Sequence, residues 1–169
     1  MSNDWKPELD AIVGARHGGQ IAGATTQLRD LDARFPHVAE IVYQLAWTCD
    51  ILGHASEALP HYERALALGL ETEEHAGALL GLGSTLRVLG QPARAAEVLR
   101  SGEAQFPDHR EFGIFLALAL HDLGQPAEAL ALALIALVDT TEDPGLIAHQ
   151  RAIRFHANRL VKPPSPPPA

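Results

Sequence analysis

The sequence predicts an all-α fold of stacked helix pairs. Three observations carry that expectation. The 169 residues include 28 Ala and 25 Leu, the two types at the head of the helix propensity scale, and only 5% aromatics. Val, Ile and aromatics are too few for a sheet of ordinary size. Glycines at 19, 53, 90 and 124 each close one apolar helical pattern and precede another, with spacings of 34, 37 and 34 residues, the signature of a repeat array.

Aligned on those glycines, the chain divides into units near 5–38, 39–75, 76–109 and 110–141, within a helical domain spanning 1–141. Positions not used in the alignment support the register. Five residues after each glycine stand Ala24, Ala58, Ala95 and Ala129. Seven before it stand Ile12, Ala46, Gly83 and Ala117, and seventeen after it Pro36, Leu70, Pro107 and Thr141. Small residues such as Ala46 and Ala58 let two antiparallel helices approach closely, while Leu45, Leu82, Leu116, Tyr62 and Leu99 fill the space around the crossing.

The glycine ends the first helix because it enters the left-handed region without strain. Pro92 and Pro126 then open second helices at a position where a missing N–H costs nothing. In the first unit Glu8 and Ile12 stand where large and small residues are expected. The 37-residue spacing places three extra residues around Leu70–His75, and Glu73 and Glu74 suit a helix N-terminus after Thr72. Asp108 and Glu111 read as a capping box for the first helix of the fourth unit.

Asp143-Pro144 begins a last helix, expected over 142–162, with Leu146, Ile153, Ala157 and Leu160 on its packed face and Arg151, Arg154, Arg159 and Lys162 outside. It is expected to cover the end of the array. Its basic face reads either as a solvated surface or as a docking patch for an acidic partner. Residues 163–169, five of them proline, read as a disordered proline-rich tail.

The pattern Gln44-Leu45-Ala46, Gly53, Ala58, Tyr62 and Ala65 resembles the tetratricopeptide repeat, and so do Leu82-Gly83, Gly90, Ala95, Leu99 and Pro107, and Leu116-Ala117, Gly124 and Ala129. The resemblance implies a right-handed superhelical stack of about four helix pairs with a C-terminal capping helix, whose first helices line a concave, partner-binding groove. Carried onto this sequence, the groove positions are Leu9, Val13 and Arg16; Tyr43, Trp47 and Asp50; Leu80, Ser84 and Arg87; and Ile114, Leu118 and His121. Lys6, Glu40 and Glu111 stand beside them. Some members of the family grip C-terminal carboxylates with Lys, Asn and Arg, but no asparagine stands at a groove position here, so that clamp is not expected.

A net charge of -8 argues against nucleic-acid or anionic-membrane partners. No apolar stretch is long enough for a transmembrane helix, the polar N-terminus lacks a signal-peptide core, and Cys49 stands alone, which together lead to a cytoplasmic expectation. The nine histidines show no His-x-x-x-His spacing, Cys49 lies in a core stripe, and no phosphate loop is present. No enzyme, metal or cofactor is expected. The expected function is a protein-interaction scaffold taking a peptide or helix. A homodimerisation module and a small secretion-type chaperone are the alternatives.

Overall fold

The computed structural model describes residues 4–161, which form nine α-helices: α1 (Lys6–His17), α2 (Ala24–Arg34), α3 (Ala39–Ile51), α4 (Ala55–Leu68), α5 (Thr72–Val88), α6 (Pro92–Gln105), α7 (Glu111–Asp122), α8 (Pro126–Thr140) and α9 (Pro144–Val161). The described residues contain no strand. Lys162 and the proline-rich tail lie outside the described residues. The helices gather into two compact units, 1–91 and 92–169.

In the first unit each helix packs on its successor from α1 to α5, and α3 also meets α5. Leu9, Ile12, Leu28 and Leu31 bury the α1–α2 contact. Val42, Leu45, Ala46 and Cys49 of α3 are fully buried, as are Ala58 and Ala65 of α4. The small-residue crossing expected at Ala46 and Ala58 is therefore in the core. On the second helices, Arg64 of α4 grips Asp32 of α2 through two bonds of 2.8 and 2.6 Å, and Arg29 pairs with Glu57. In the second unit α6, α7, α8 and α9 pack in succession. Phe112 of α7 fills the space beside Gly102 of α6, with Leu99, Leu116 and Leu120 around them in the core.

The glycine turn forms as the sequence predicts. Gly19, Gly53, Gly90 and Gly124 have φ of 87°, 77°, 72° and 74°. At each the chain returns two hydrogen bonds to the helix: Gly53 N donates to Asp50 O and His54 N to Cys49 O, both at 2.9 Å, and the pattern recurs at Gly90 and Gly124. This is the paired closure that satisfies the last carbonyls of a helix. Pro92 and Pro126 open α6 and α8, and Asp143 Oδ1 accepts from Leu146 N at 2.9 Å to cap α9.

Two local expectations change, and one is refined. The Asp108–Glu111 capping box is not made: α7 starts at Glu111 after Arg110, without a side-chain cap, and the Glu111 carboxylate turns to His109 Nδ1 at 3.0 Å. The extra residues between the second and third glycines fall at a helix start, as Glu73 and Glu74 after Thr72 predict. They lengthen α5, which runs 17 residues against 13 in α3 and 12 in α7. Thr72, Glu73 and Glu74 supply a further N-terminal turn, a favourable place for carboxylates near free N–H groups. On α9, Ala157 is buried, but Leu160 is exposed.

Candidate functional site

In the first unit the first helices α1, α3 and α5 are tied together in turn. Lys6 Nζ of α1 lies 3.1 Å from Glu40 Oε2 of α3, and the Glu40 carboxylate raises the lysine pKa. At the other end of α1, Arg16 reaches into α3. Its guanidinium donates to Thr48 Oγ1 at 2.9 Å and to Gln44 Oε1 at 2.8 Å, and it lies 4.4 Å from the centre of the Trp47 ring. His17 meets the same ring edge-on. Arg16 is buried, its partners are neutral, and its Nε finds no hydrogen bond among the described residues. Burial therefore lowers its pKa. The face of the Trp47 ring and neutral acceptors hold this cation where a carboxylate ordinarily would.

Between α3 and α5 the joint is a tyrosine against a glycine. A Cβ on Gly77 would lie 2.3 Å from the Tyr43 hydroxyl. Tyr43 stacks on Trp47 with ring centres 6.0 Å apart, and Tyr62 of α4 lies next to it at 6.4 Å. Burial pushes both tyrosine hydroxyls up in pKa. Asp50 stands at the end of this cluster, half-buried, with the Tyr62 hydroxyl 3.5 Å from Oδ2. Burial raises its carboxyl above the ordinary range, and the facing Thr85 and Tyr62 hydroxyls work the other way.

The positions expected to line a groove therefore separate into two kinds. Leu9, Arg16 and Tyr43 are buried and join helices from beneath. Val13, Trp47, Asp50, Leu80, Ser84 and Arg87 keep part of their surface open. In the second unit Ile114 and Leu118 are 40% and 42% exposed, and His121 is exposed as well. These three line one cleft of about 300 Å³ with Ala117 of α7 and Pro126, Ala129, Leu130 and Ala133 of α8.

Gln44 and Thr48, which hold Arg16, and Leu130, which walls the cleft, were not among the sequence-derived positions. Leu130 carried a signal: Pro126, Leu130, Ala133 and Leu137 form a second apolar stripe on α8, so that helix is apolar nearly all round.

Cys49 is buried, with its thiol pushed up in pKa by desolvation. The described residues hold no group of three or more metal-ligating side chains, and none of their helices is long and apolar enough to cross a membrane.

A family profile for the Tetratrico peptide repeat matches residues 39–160. No curated protein matches the sequence significantly. Among solved structures, a MamA fragment from Desulfovibrio magneticus RS-1 is 20% identical, with 95% of this chain and 92% of that one covered and a TM-score of 0.69. A Podospora anserina kinesin-light-chain-like protein with nearly identical TPR-like repeats is 19% identical, with 92% and 90% covered and a TM-score of 0.67. YrrB, described as a TPR protein with an unusual peptide-binding site, is 16% identical, with 92% of each chain covered and a TM-score of 0.63. Glycine turns, small-residue crossings and an all-α stack of helix pairs agree with the profile, and the chain belongs to the tetratricopeptide repeat family, whose members serve in general as protein-interaction modules.

Proposed function

We propose that this chain is a non-catalytic scaffold that binds a peptide or helix of another protein along its first helices, in the cytoplasm. The observation that carries the reading is the apolar cleft of the second unit. Ile114, Leu118 and Leu130 converge there with large exposed surfaces, and clustered exposed apolar side chains mark interaction sites. In the first unit the surface consists of Val13, Trp47, Asp50, Leu80, Ser84 and Arg87, with Leu9, Arg16 and Tyr43 as its support. The peptide-binding site described for YrrB is a parallel in the same fold.

The test is affinity capture from the native lysate with wild type, Trp47→Ala and Leu118→Asp proteins of equal helical content. Tyr43→Ala is unsuitable because it opens the α3–α5 joint. Loss of one protein from both variants supports the groove. Equal capture by all three rejects it, and recovery of the chain alone turns the reading to homo-oligomerisation.

A further inference from the structure

Helix α9 has two working faces. Leu146, Gln150, Ile153 and Ala157 lie toward α8, where the Gln150 amide donates to Val138 O and Arg154 pairs with Asp139. The opposite side carries Ile147, Arg151, Phe155 and Arg159, all exposed. Steps of four residues put them along one line about 18 Å long. Ile147 and Phe155 are 51% and 57% exposed, among the most open large apolar side chains of the described residues. The Arg159 guanidinium lies 5.5 Å from the centre of the Phe155 ring.

The charges on this strip are unanswered. Arg29, Arg34, Arg64, Arg100 and Arg154 each find a carboxylate. Arg151 and Arg159 find none among the described residues, and α9 itself contains no acid. With three arginines on α9 and a net charge of -8 overall, the rest of the chain carries -11. So acidic a body is repelled by an anionic lipid surface. Arginine and phenylalanine are also residue types enriched in protein interfaces.

We propose that the outer face of α9 is a docking strip for an acidic amphipathic helix of another protein, distinct from the groove of the first helices. Carboxylates four residues from apolar side chains on the partner meet Arg151 and Arg159 while the apolar residues cover Ile147 and Phe155.

The experiment measures fluorescence anisotropy of labelled synthetic helical peptides against the full chain. One peptide alternates Glu and Leu at four-residue steps, a second has the same composition scrambled, and a third replaces Glu by Lys. The ordered acidic peptide is expected to bind about tenfold or more tighter than the scramble. Arg151→Glu/Arg159→Glu abolishes that preference and transfers binding to the Lys peptide, which shows that the variant is folded. Phe155→Ala weakens the acidic peptide, and Trp47→Ala leaves it unchanged.

Equal binding of ordered and scrambled peptides overturns the proposal, as does binding that survives charge reversal. So does capture of phosphatidylserine vesicles without the peptide. Concentration-dependent self-association that the charge reversal abolishes, with no peptide bound, also overturns it and makes a second copy the occupant.

Discussion

The Tyr62 ring occupies the space that a side chain on Gly81 would need: a Cβ there would lie 2.4 Å from Tyr62 Cζ. Tyr62 is 1% exposed and cannot swing away. Gly81→Ala is expected to destabilise the protein by about 1–3 kcal/mol in urea unfolding, although alanine alone would add about 1 kcal/mol to an open helix. Gly113→Ala is the control, because its Cβ meets only Glu103 Oε1 at 3.5 Å; it should leave stability unchanged or raise it.

The raised pKa of Asp50 gives a signed pH effect. Folding raises this carboxyl above its ordinary 3.8, so between that value and the folded one the native state holds more protons than the unfolded chain. Stability from this group is present below pH 3.8 and is lost as pH rises through the folded pKa. Asp50→Asn keeps an acceptor facing Tyr62 and removes the buried charge. The variant should be more stable than wild type at neutral pH, with the difference shrinking toward the acid end of a series of thermal melts.

His61 acts in the opposite sense. Burial lowers its folded pKa below the ordinary 6.5. Its contribution is complete above pH 6.5 and is lost as pH falls through the folded value. His61→Gln should flatten the stability profile below pH 6.5, read from the same melts. An unchanged slope would remove this histidine as a source of acid sensitivity.

Arg16 holds α1 to α3 without a carboxylate. Arg16→Ala removes the hydrogen bonds to Gln44 and Thr48 and uncovers one side of Trp47. The expected loss is about 2–3 kcal/mol, with a red shift of tryptophan emission. Arg16→Lys keeps the charge and loses the paired donors to Gln44 and Thr48, and so should not restore the wild-type value.

At the end of the array, Asp143→Ala should cost about 1 kcal/mol by freeing Leu146 N. Hydrogen exchange would show the loss concentrated in the first turn of α9.

The turns were legible in the sequence because a left-handed residue leaves a chemical trace: Gly53, Gly90 and Gly124 stand where φ is positive. The prolines that open α6 and α8 and the Asp143 cap were legible for the same kind of local reason. The proposed groove was legible only as a face. Helical periodicity places Tyr43 on that face, but its burial depends on Gly77, a residue 34 positions later on another helix. Arg16 likewise disappears under Trp47 through partners on α3 that its own helix cannot reveal. The Asp108–Glu111 box failed because the helix began two residues later than its spacing requires, and His109 claimed the carboxylate.

The shared glycine turn fixes one end of these helices, and their lengths differ at the other. Helices α1, α3, α5 and α7 all stop at the same kind of lock, yet they begin after four different residues, Trp5, Val38, Glu71 and Arg110. The extra residues before the third lock lie at the open start of α5, and the spacing from Ala76 to Gly90 equals that from Ala39 to Gly53. An engineer lengthening this protein should therefore add whole turns before Thr72 or its counterparts and leave the stops alone. Length in this chain varies at the start of each first helix, and each unit keeps its ending.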